Sequence, residues 1–271
     1  VNIVNIGIIT DFGNNFYVGI MKGIIKALNN NASIIEIDNN VPKFSIISGS
    51  YILFNSYKWM PKNSIIISVV DPGVGTNRKG LIIKTKNYYF IGPDNGLIYE
   101  SALEDGIISI YEIIPEKLKE YLKTYFNLNI IISQTFHGRD IFAPAAALLS
   151  INDDIKYYAK PLKNNEIVKL RLLDARKENN KIELKVIYID DFGNIVLSSM
   201  FDDLDLKKYK TKIIKDNVIT DINIGKKFAD VNEGELLLYK NSFGFAEIAV
   251  NKGNASSLLN LKVGDKLSIS Y

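Results

Sequence analysis

NIVNIGIITDFGNNFYVGIMKGIIKALNNNASIIEID, residues 2–38, passes from an apolar run through a polar turn and a helically spaced stretch to a second apolar run. NIVNIGIIT (2–10) has the length and composition of a strand. DFGNN (11–15) interrupts it, and in YVGIMKGIIKALNN (17–30) apolar residues recur at helical spacing until the asparagines stop them. ASIIEIDNNV (32–41) supplies the next strand. Further out, SIISGSYILFNSYKWM (45–60) reads as a largely buried helix closed by Pro61. SIIISVVD (64–71) is apolar almost throughout, as a strand covered on both faces must be. Strand, helix, strand, helix, strand in succession is the pattern of an α/β fold.

The remainder extends this frame and then departs from it. LIIKTKN (81–87) and YYFIGPDNG (88–96) form a hairpin-like pair that adds to the sheet; Asp94 sits in its turn signal PDNG and reads as structural. PEKLKEYLKTYF (115–126) has the charged face of a surface helix, and APAAALLS (143–150) packs small residues that permit close helix approach. From about Lys160 the chain breaks into short apolar segments divided by turns: EIVKLRLLD, KIELKVIYID, NIVLSSM, TKIIKD, ELLLYK, AEIAVN and KLSISY. The expectation is an N-terminal α/β sandwich domain with a mostly parallel central sheet, residues 1–160. A C-terminal small β barrel, residues 161–271, follows it.

Composition narrows the chemistry. With 271 residues, 47% of them hydrophobic, the chain has room for two cores. The absence of cysteine excludes disulfides, thiolate metal sites and cysteine nucleophiles. The net charge of +3 is spread among interspersed acidic residues, without the basic stripe of a nucleic-acid binder. No apolar run reaches the roughly 18 residues of a membrane span, and the N-terminus lacks a signal-peptide pattern. The expectations are no nucleic-acid partner, no membrane and a cytoplasmic location.

Three places carry groups suited to chemistry. TFHGRDIFAPAAALL (135–149) holds the only histidine, His137, whose side chain titrates nearest neutrality; an imidazole that merely ties down a loop is the competing explanation. VVDPGVGTNR (69–78) sets Asp71 and Arg78 on a glycine-rich loop, where Asp71 is either a turn former or a carboxylate that a guanidinium orients and favours in its charged form. Asp11 follows the first strand. There it is equally a helix N-cap or an acceptor for ribose hydroxyls, because ligands bind beyond the carboxyl ends of strands in open α/β sheets. In IDDFGN (189–194), Asp190, Phe192 and Asn194 share a turn that serves either a purine ring or only itself. SFGFAEIAVNKGNA (242–255) repeats that mixture near another glycine turn.

These segments together resemble the S-adenosylmethionine hydroxide adenosyltransferases, a family related to the S-adenosylmethionine-dependent fluorinase and chlorinase. TDFG with YVGIMKG, VVDPGVGTNR, GPDNGL, TFHGRDIFAPAAA, DDFGN and SFGFAEIAVNKG occur in the family's order over nearly the whole chain. VVDPGVGT and TFHGRDIFAPAA are the most specific. The resemblance implies that water or hydroxide displaces L-methionine from C5′ of S-adenosyl-L-methionine, leaving adenosine, with no metal and no cofactor. It also implies a homotrimer whose substrate lies between the N-terminal domain of one subunit and the C-terminal domain of its neighbour. Asp71, Arg78 and His137 match the catalytic trio: Asp71 to orient the water and draw on its proton, Arg78 to fix that carboxylate, His137 to hydrogen-bond the oxygen.

By the same resemblance Asp11 binds the ribose hydroxyls, Phe44 packs on the substrate, and Gly138 lies beside it. Asp190 meets the methionine amine, with Asp191 the alternative because DDFGN is shorter than the fluorinase-like version. Phe192 and Asn194 face the adenine; Ser242, Glu247, Val250 and Asn251 line the nucleoside pocket. Where a fluorinase has tyrosine and a Tyr-Ser pair, this chain has Asp71 and the His137–Gly138 pair. A carboxylate beside a halide repels it, which favours water over a halogenase reaction. Two further alternatives stand: a metal-dependent nucleoside hydrolase using Asp11, Asp71, Asp94 and Asp140 as oxygen ligands, and a non-catalytic sensor of adenosine or S-adenosylmethionine.

Overall fold

The structure, a computed structural model, describes residues 4–206, 211–216 and 218–270. The outer ends of the first and last expected strands, residues 2–3 and 271, lie outside the described residues. The chain divides into two compact units, Val1–Leu170 and Arg171–Tyr271.

In the first unit β1 (Asn5–Thr10), α1 (Phe16–Leu28), β2 (Ser33–Asp38), α2 (Ile46–Ser56) and β3 (Ile65–Val69) alternate as the sequence pattern requires. There follow β4 (Gly80–Thr85), β5 (Tyr89–Pro93), α3 (Tyr99–Asp105), β6 (Ile107–Ile113), α4 (Pro115–Phe126), α5 (Ala143–Ser150) and β7 (Ala159–Leu162). The sheet order is β2-β1-β3-β5-β4-β6-β7. Pairing is parallel from β2 to β5 and antiparallel from β5 to β7, so the sheet expected to be mostly parallel is parallel over one half. The reason is connection length. Only residues 86–88 join β4 to β5, whereas a parallel neighbour needs a crossover of a dozen residues or more.

Successive side chains of a strand point to opposite faces, and each face has its own core. Ile6, Ile8, Ile65 and Ile67 are buried with Met21, Ile25 and the alanines of α5. Ile9, Ile66 and Val70 are buried on the other face with Leu53, Tyr57 and Leu97. This accounts for the nearly continuous apolar run of β3. After β1 the chain crosses to β2 on one side, then returns through α2 to β3 on the other. The strand order therefore reverses between β1 and β3, and the crevice beyond their carboxyl ends is the place where such sheets bind ligands.

The second unit contains β8 (Arg176–Glu178), β9 (Lys181–Ile189), β10 (Ile195–Met200), β11 (Lys212–Lys215), β12 (Val218–Asp221), β13 (Asn223–Ile224), β14 (Leu236–Lys240), β15 (Phe245–Val250), α6 (Ala255–Leu259) and β16 (Lys266–Ser270). The order β12-β11-β16-β9-β10-β15-β14-β13, with β8 beside β9, begins and ends on strands separated by Ile222 alone. A sheet whose two edges are neighbours in sequence must curl back on itself, which gives the nearly closed barrel around Ile182, Leu197, Ile222, Leu238 and Ile248. EIVKLRLLD, expected as a strand, contributes no ladder. The Val168 N–H is taken by the Asp94 carboxylate at 2.8 Å and the Asp174 N–H by the Ser198 carbonyl at 2.9 Å. Among the described residues no helix is long and apolar enough to cross a membrane.

Candidate active site

Thr10 and Val69 are register partners at the ends of β1 and β3. Asp11 and Asp71, sixty residues apart in sequence, therefore emerge at the same edge of the sheet. Asp11 does not cap α1. Asn15 does so through its side chain and the Tyr17 N–H at 2.9 Å, while the Asp11 carboxylate accepts the Phe44 N–H at 2.9 Å. Phe44 has φ of 63° and its ring is exposed.

Asp71 is the anchor of an ion pair. Arg78 Nε reaches both carboxylate oxygens at 3.0 Å, and its Nη2 also donates to Oδ2. The side chains are only 6% and 10% exposed, so this pair is not a solvated surface contact. Arg78 Nη2 lies 2.8 Å from His137 Nδ1, and Phe142 lies under the guanidinium, its ring centroid 5.3 Å away. A guanidinium has no acceptor, so Nδ1 must contribute a lone pair. The imidazole is then neutral, with its proton on Nε2.

The loops that carry these groups are mutually braced. Gly75 has φ of 77°, and a methyl group there would collide with the Gln134 carbonyl, so glycine lets the loop between Asp71 and Arg78 lie against residues 133–136. His137 opens the π-helical segment Gly138–Phe142 that leads into α5, a wide turn of the kind often found at functional sites. Gly138 leaves room for Met21 and Phe12, which a Cβ would meet at 3.2 Å and 3.3 Å. Phe12 packs edge-on to Phe136 at 5.8 Å.

Asp11, Phe44, Asp71, His137 and Gly138 line one cleft of about 210 Å³, and Arg78 stands behind Asp71. Lys43, which sequence inspection did not single out, lines it too, and its ammonium donates to the Asp11 carbonyl. Its only sequence signal is adjacency to Phe44. A larger cleft of about 1010 Å³ in the second unit, along Thr211, Lys212 and Asp221–Lys226, contains none of the expected site residues.

Burial, and next the Arg78 charge, push the His137 pKa below its ordinary 6.5; the Asp71 charge, a hydrogen bond with the Ser133 backbone and the Asp140 charge oppose that shift. Below pH 6.5 the unfolded chain therefore binds a proton that the folded one resists. Stability from this group is complete above about pH 6.5 and is lost as pH falls toward the lower folded value, with a slope of at most roughly 1.4 kcal/mol per pH unit. Denaturant titrations should show this decline in the wild type and a flatter profile in His137→Asn.

In the second unit the Asp190 carboxylate accepts from the Phe192 N–H at 3.0 Å, the Asn194 N–H at 2.8 Å and Asn194 Nδ2 at 2.9 Å. These bonds fold the β9–β10 turn and leave Phe192 and Asp191 exposed. Glu247 is buried on β15, accepting from Tyr239 Oη and from Asn241 Nδ2 at 2.8 Å, and burial pushes its carboxyl pKa up, with Asp190 adding to the effect. Val250 ends that strand and Asn251 follows it, its Nδ2 donating to the Val231 carbonyl at 2.9 Å. Ser242 follows Asn241, whose side-chain amide holds the Glu247 carboxylate.

The four aspartates proposed as metal ligands point to separate partners: Asp11 to Phe44, Asp71 to Arg78, Asp94 to Val168, Asp140 to Ser133 and Arg139. Among the described residues no three His, Cys, Asp or Glu side chains converge as a metal site.

Known proteins share this architecture. A crystal structure described as an uncharacterized conserved protein from Thermotoga maritima matches with a TM-score of 0.84 and 36% identity, covering 98% of this chain and all of its own. An (R)-S-adenosyl-L-methionine hydrolase of Methanocaldococcus jannaschii is 37% identical over 97% of this chain and 94% of its own length. One of the same name from Salinispora tropica is 28% identical over 96% and 95%. Residues 6–158 match the model of the SAM hydroxide adenosyltransferase N-terminal domain and residues 184–268 that of its C-terminal domain. On these matches, and on a fold shared from end to end, the chain belongs to the SAM hydroxide adenosyltransferase family.

Proposed function

We propose that this protein hydrolyses S-adenosyl-L-methionine to adenosine and L-methionine, with Asp71, Arg78 and His137 organising the attack of water on C5′. The observation that carries the reading is the buried contact of these three side chains beyond the carboxyl ends of β1 and β3, beside Asp11. The sulfonium leaves as a neutral thioether, so departure needs no acid, metal or cofactor. Water is the weak partner. As its oxygen bonds to C5′, the C5′–S electron pair passes to sulfur, and a proton of the water moves to Asp71 and on to solvent.

The tautomer divides the labour. His137 has its lone pair on Arg78, and its remaining N–H is a donor, which leaves Asp71 as the proton acceptor. Arg78 holds that carboxylate toward the crevice, and neutralisation of charge between a hydroxide-like oxygen and a sulfonium gains from a dry, preorganised site. Asp11 keeps acceptor capacity beyond the Phe44 N–H and suits the ribose hydroxyls. A halide would face the Asp71 carboxylate, which argues against halogenation.

The reading extends to a cytoplasmic homotrimer. A cleft of about 210 Å³ is smaller than the roughly 300–1,000 Å³ of ordinary ligand pockets, which suits a site completed by another subunit. Phe44 on this side, and Phe192 in the second unit, are exposed rings at 72% and 77%. In this arrangement the neighbour's C-terminal unit supplies Phe192 and Asn194 to the adenine, Asp190 to the methionine amine, and Ser242, Glu247, Val250 and Asn251 to the walls.

Incubating chelator-treated protein with S-adenosylmethionine should release adenosine and methionine in equal amounts, with no change of rate from the chelator and no 5′-halogenated nucleoside in chloride or fluoride. Saturable binding without turnover, or activity abolished by the chelator, would overturn the proposal.

A further inference from the structure

Asp140 lies outside the trio yet is more deeply buried than His137, at 1% exposure against 9%. Its Oδ2 accepts from the Ser133 N–H at 2.8 Å and from Arg139 Nη2 at 3.1 Å, and its Oδ1 accepts from Arg139 Nε at 2.5 Å. The backbone closes the same circuit. The Asp140 N–H donates to the Phe136 carbonyl at 3.1 Å, and the Phe136 N–H donates to Ser133 Oγ at 3.0 Å. Residues 133–140 thus form one hydrogen-bonded ring that contains His137. Gln134, on the same ring, abuts Gly75 between Asp71 and Arg78. One buried carboxylate therefore fixes both the imidazole and the ledge under the loop that carries the other two groups.

We propose that Asp140 is a positioning residue: by gripping the Ser133 peptide and Arg139 it holds His137 in the Nε2–H tautomer and in the orientation that receives Arg78. It does so without touching substrate. The charge matters because Arg139 and a peptide N–H both donate to it, and charge-assisted bonds of this kind are the stronger ones. An amide in its place keeps the shape but turns an NH₂ group toward one of these donors. The ring then loosens, and the imidazole exchanges between tautomers.

The kinetic arm of the test rests on the hydrolase reading; the spectroscopic arm does not. His137 is the only histidine, so isotopically labelled histidine gives a single pair of ring-nitrogen NMR signals. Wild type should show one neutral tautomer with Nδ1 hydrogen-bonded. Asp140→Asn should show mixed tautomers and a kcat lowered about tenfold to a hundredfold, as small misplacements of catalytic groups produce, with KM within about threefold. Arg139→Gln, at a half-buried position less exposed to the risk of misfolding, should give the same change to a smaller extent and carries the test if Asp140→Asn does not fold. A single Nε2–H tautomer retained in the folded variants overturns the proposal whatever their activity. Mixed tautomers in the variants, together with a wild type inert toward S-adenosylmethionine, would strike the hydrolase reading alone.

Discussion

Asp71→Asn is expected to lower kcat by about a thousandfold, within the range that general-base groups contribute, while KM stays within a few-fold. The substitution preserves volume and leaves an oxygen for Arg78, so the loop between residues 71 and 78 keeps its shape. It removes the carboxylate assigned to take the proton of the water, a role His137 does not share because its lone pair is directed at Arg78. If His137 were the base, Asp71→Asn would cost far less and His137→Asn far more. Steady-state kinetics of the two variants, with circular dichroism to confirm folding, decide between these assignments. An Asp71→Asn enzyme of near wild-type kcat would refute the role given to the carboxylate.

Arg78→Gln is expected to damage both stability and activity. The Asp71–Arg78 pair is almost wholly removed from solvent, with side-chain exposures of 6% and 10%. Deleting one member of such a pair strands the other charge and typically costs about 3–5 kcal/mol, which for a unit of this size lowers the melting midpoint by roughly 10 °C. The same change frees His137 Nδ1 and unseats Asp71, so kcat should fall by about a hundredfold or more. Arg78→Lys keeps the charge but not the planar fork, and should recover most of the stability with little of the rate. Calorimetry showing a wild-type midpoint for Arg78→Gln would mean that the pair is solvated in the protein, contrary to the geometry.

The half of the fold that positions the site was legible because its signals are local. The helical spacing of 17–30 and the nearly continuous apolar run of 65–70 each specify one element, and their alternation specifies the crevice between β1 and β3. α3 and β6 were not legible. Residues 99–102 of α3 are buried but include Glu100 and Ser101, and β6 lies at the antiparallel side of the sheet, where its polar Ser109 and Glu112 blur the strand pattern. The antiparallel pairing of β4 with β5 was legible in the hairpin-like pair of residues 81–96, whereas the antiparallel addition of β6 and β7 was not.

The site was legible in its parts more than in its assembly. Asp71 and Arg78 share a loop, and their pairing could be read from seven residues of spacing. Nothing in the spacing of residues 78 and 137 brings the guanidinium to the imidazole; that contact comes from α5 and the π-helical turn packing beside β3, and at the sequence level only the family resemblance pointed to it. Two groups took roles that sequence left open. Asp11 turned out to hold Phe44 rather than α1, because Asn15 stands closer to the helix start. Asp190 folds its own turn through three hydrogen bonds, so its carboxylate has a structural task whether or not an amine also reaches it.

Turnover in water enriched in heavy oxygen tests the central claim most directly, because the position of the label reports which bond the water attacks. Attack at C5′ predicts label in the 5′ hydroxyl of the released adenosine and none in methionine. Adenosine without label at that oxygen, or label at C1′ with free adenine, would contradict an Asp71-directed displacement of the sulfonium.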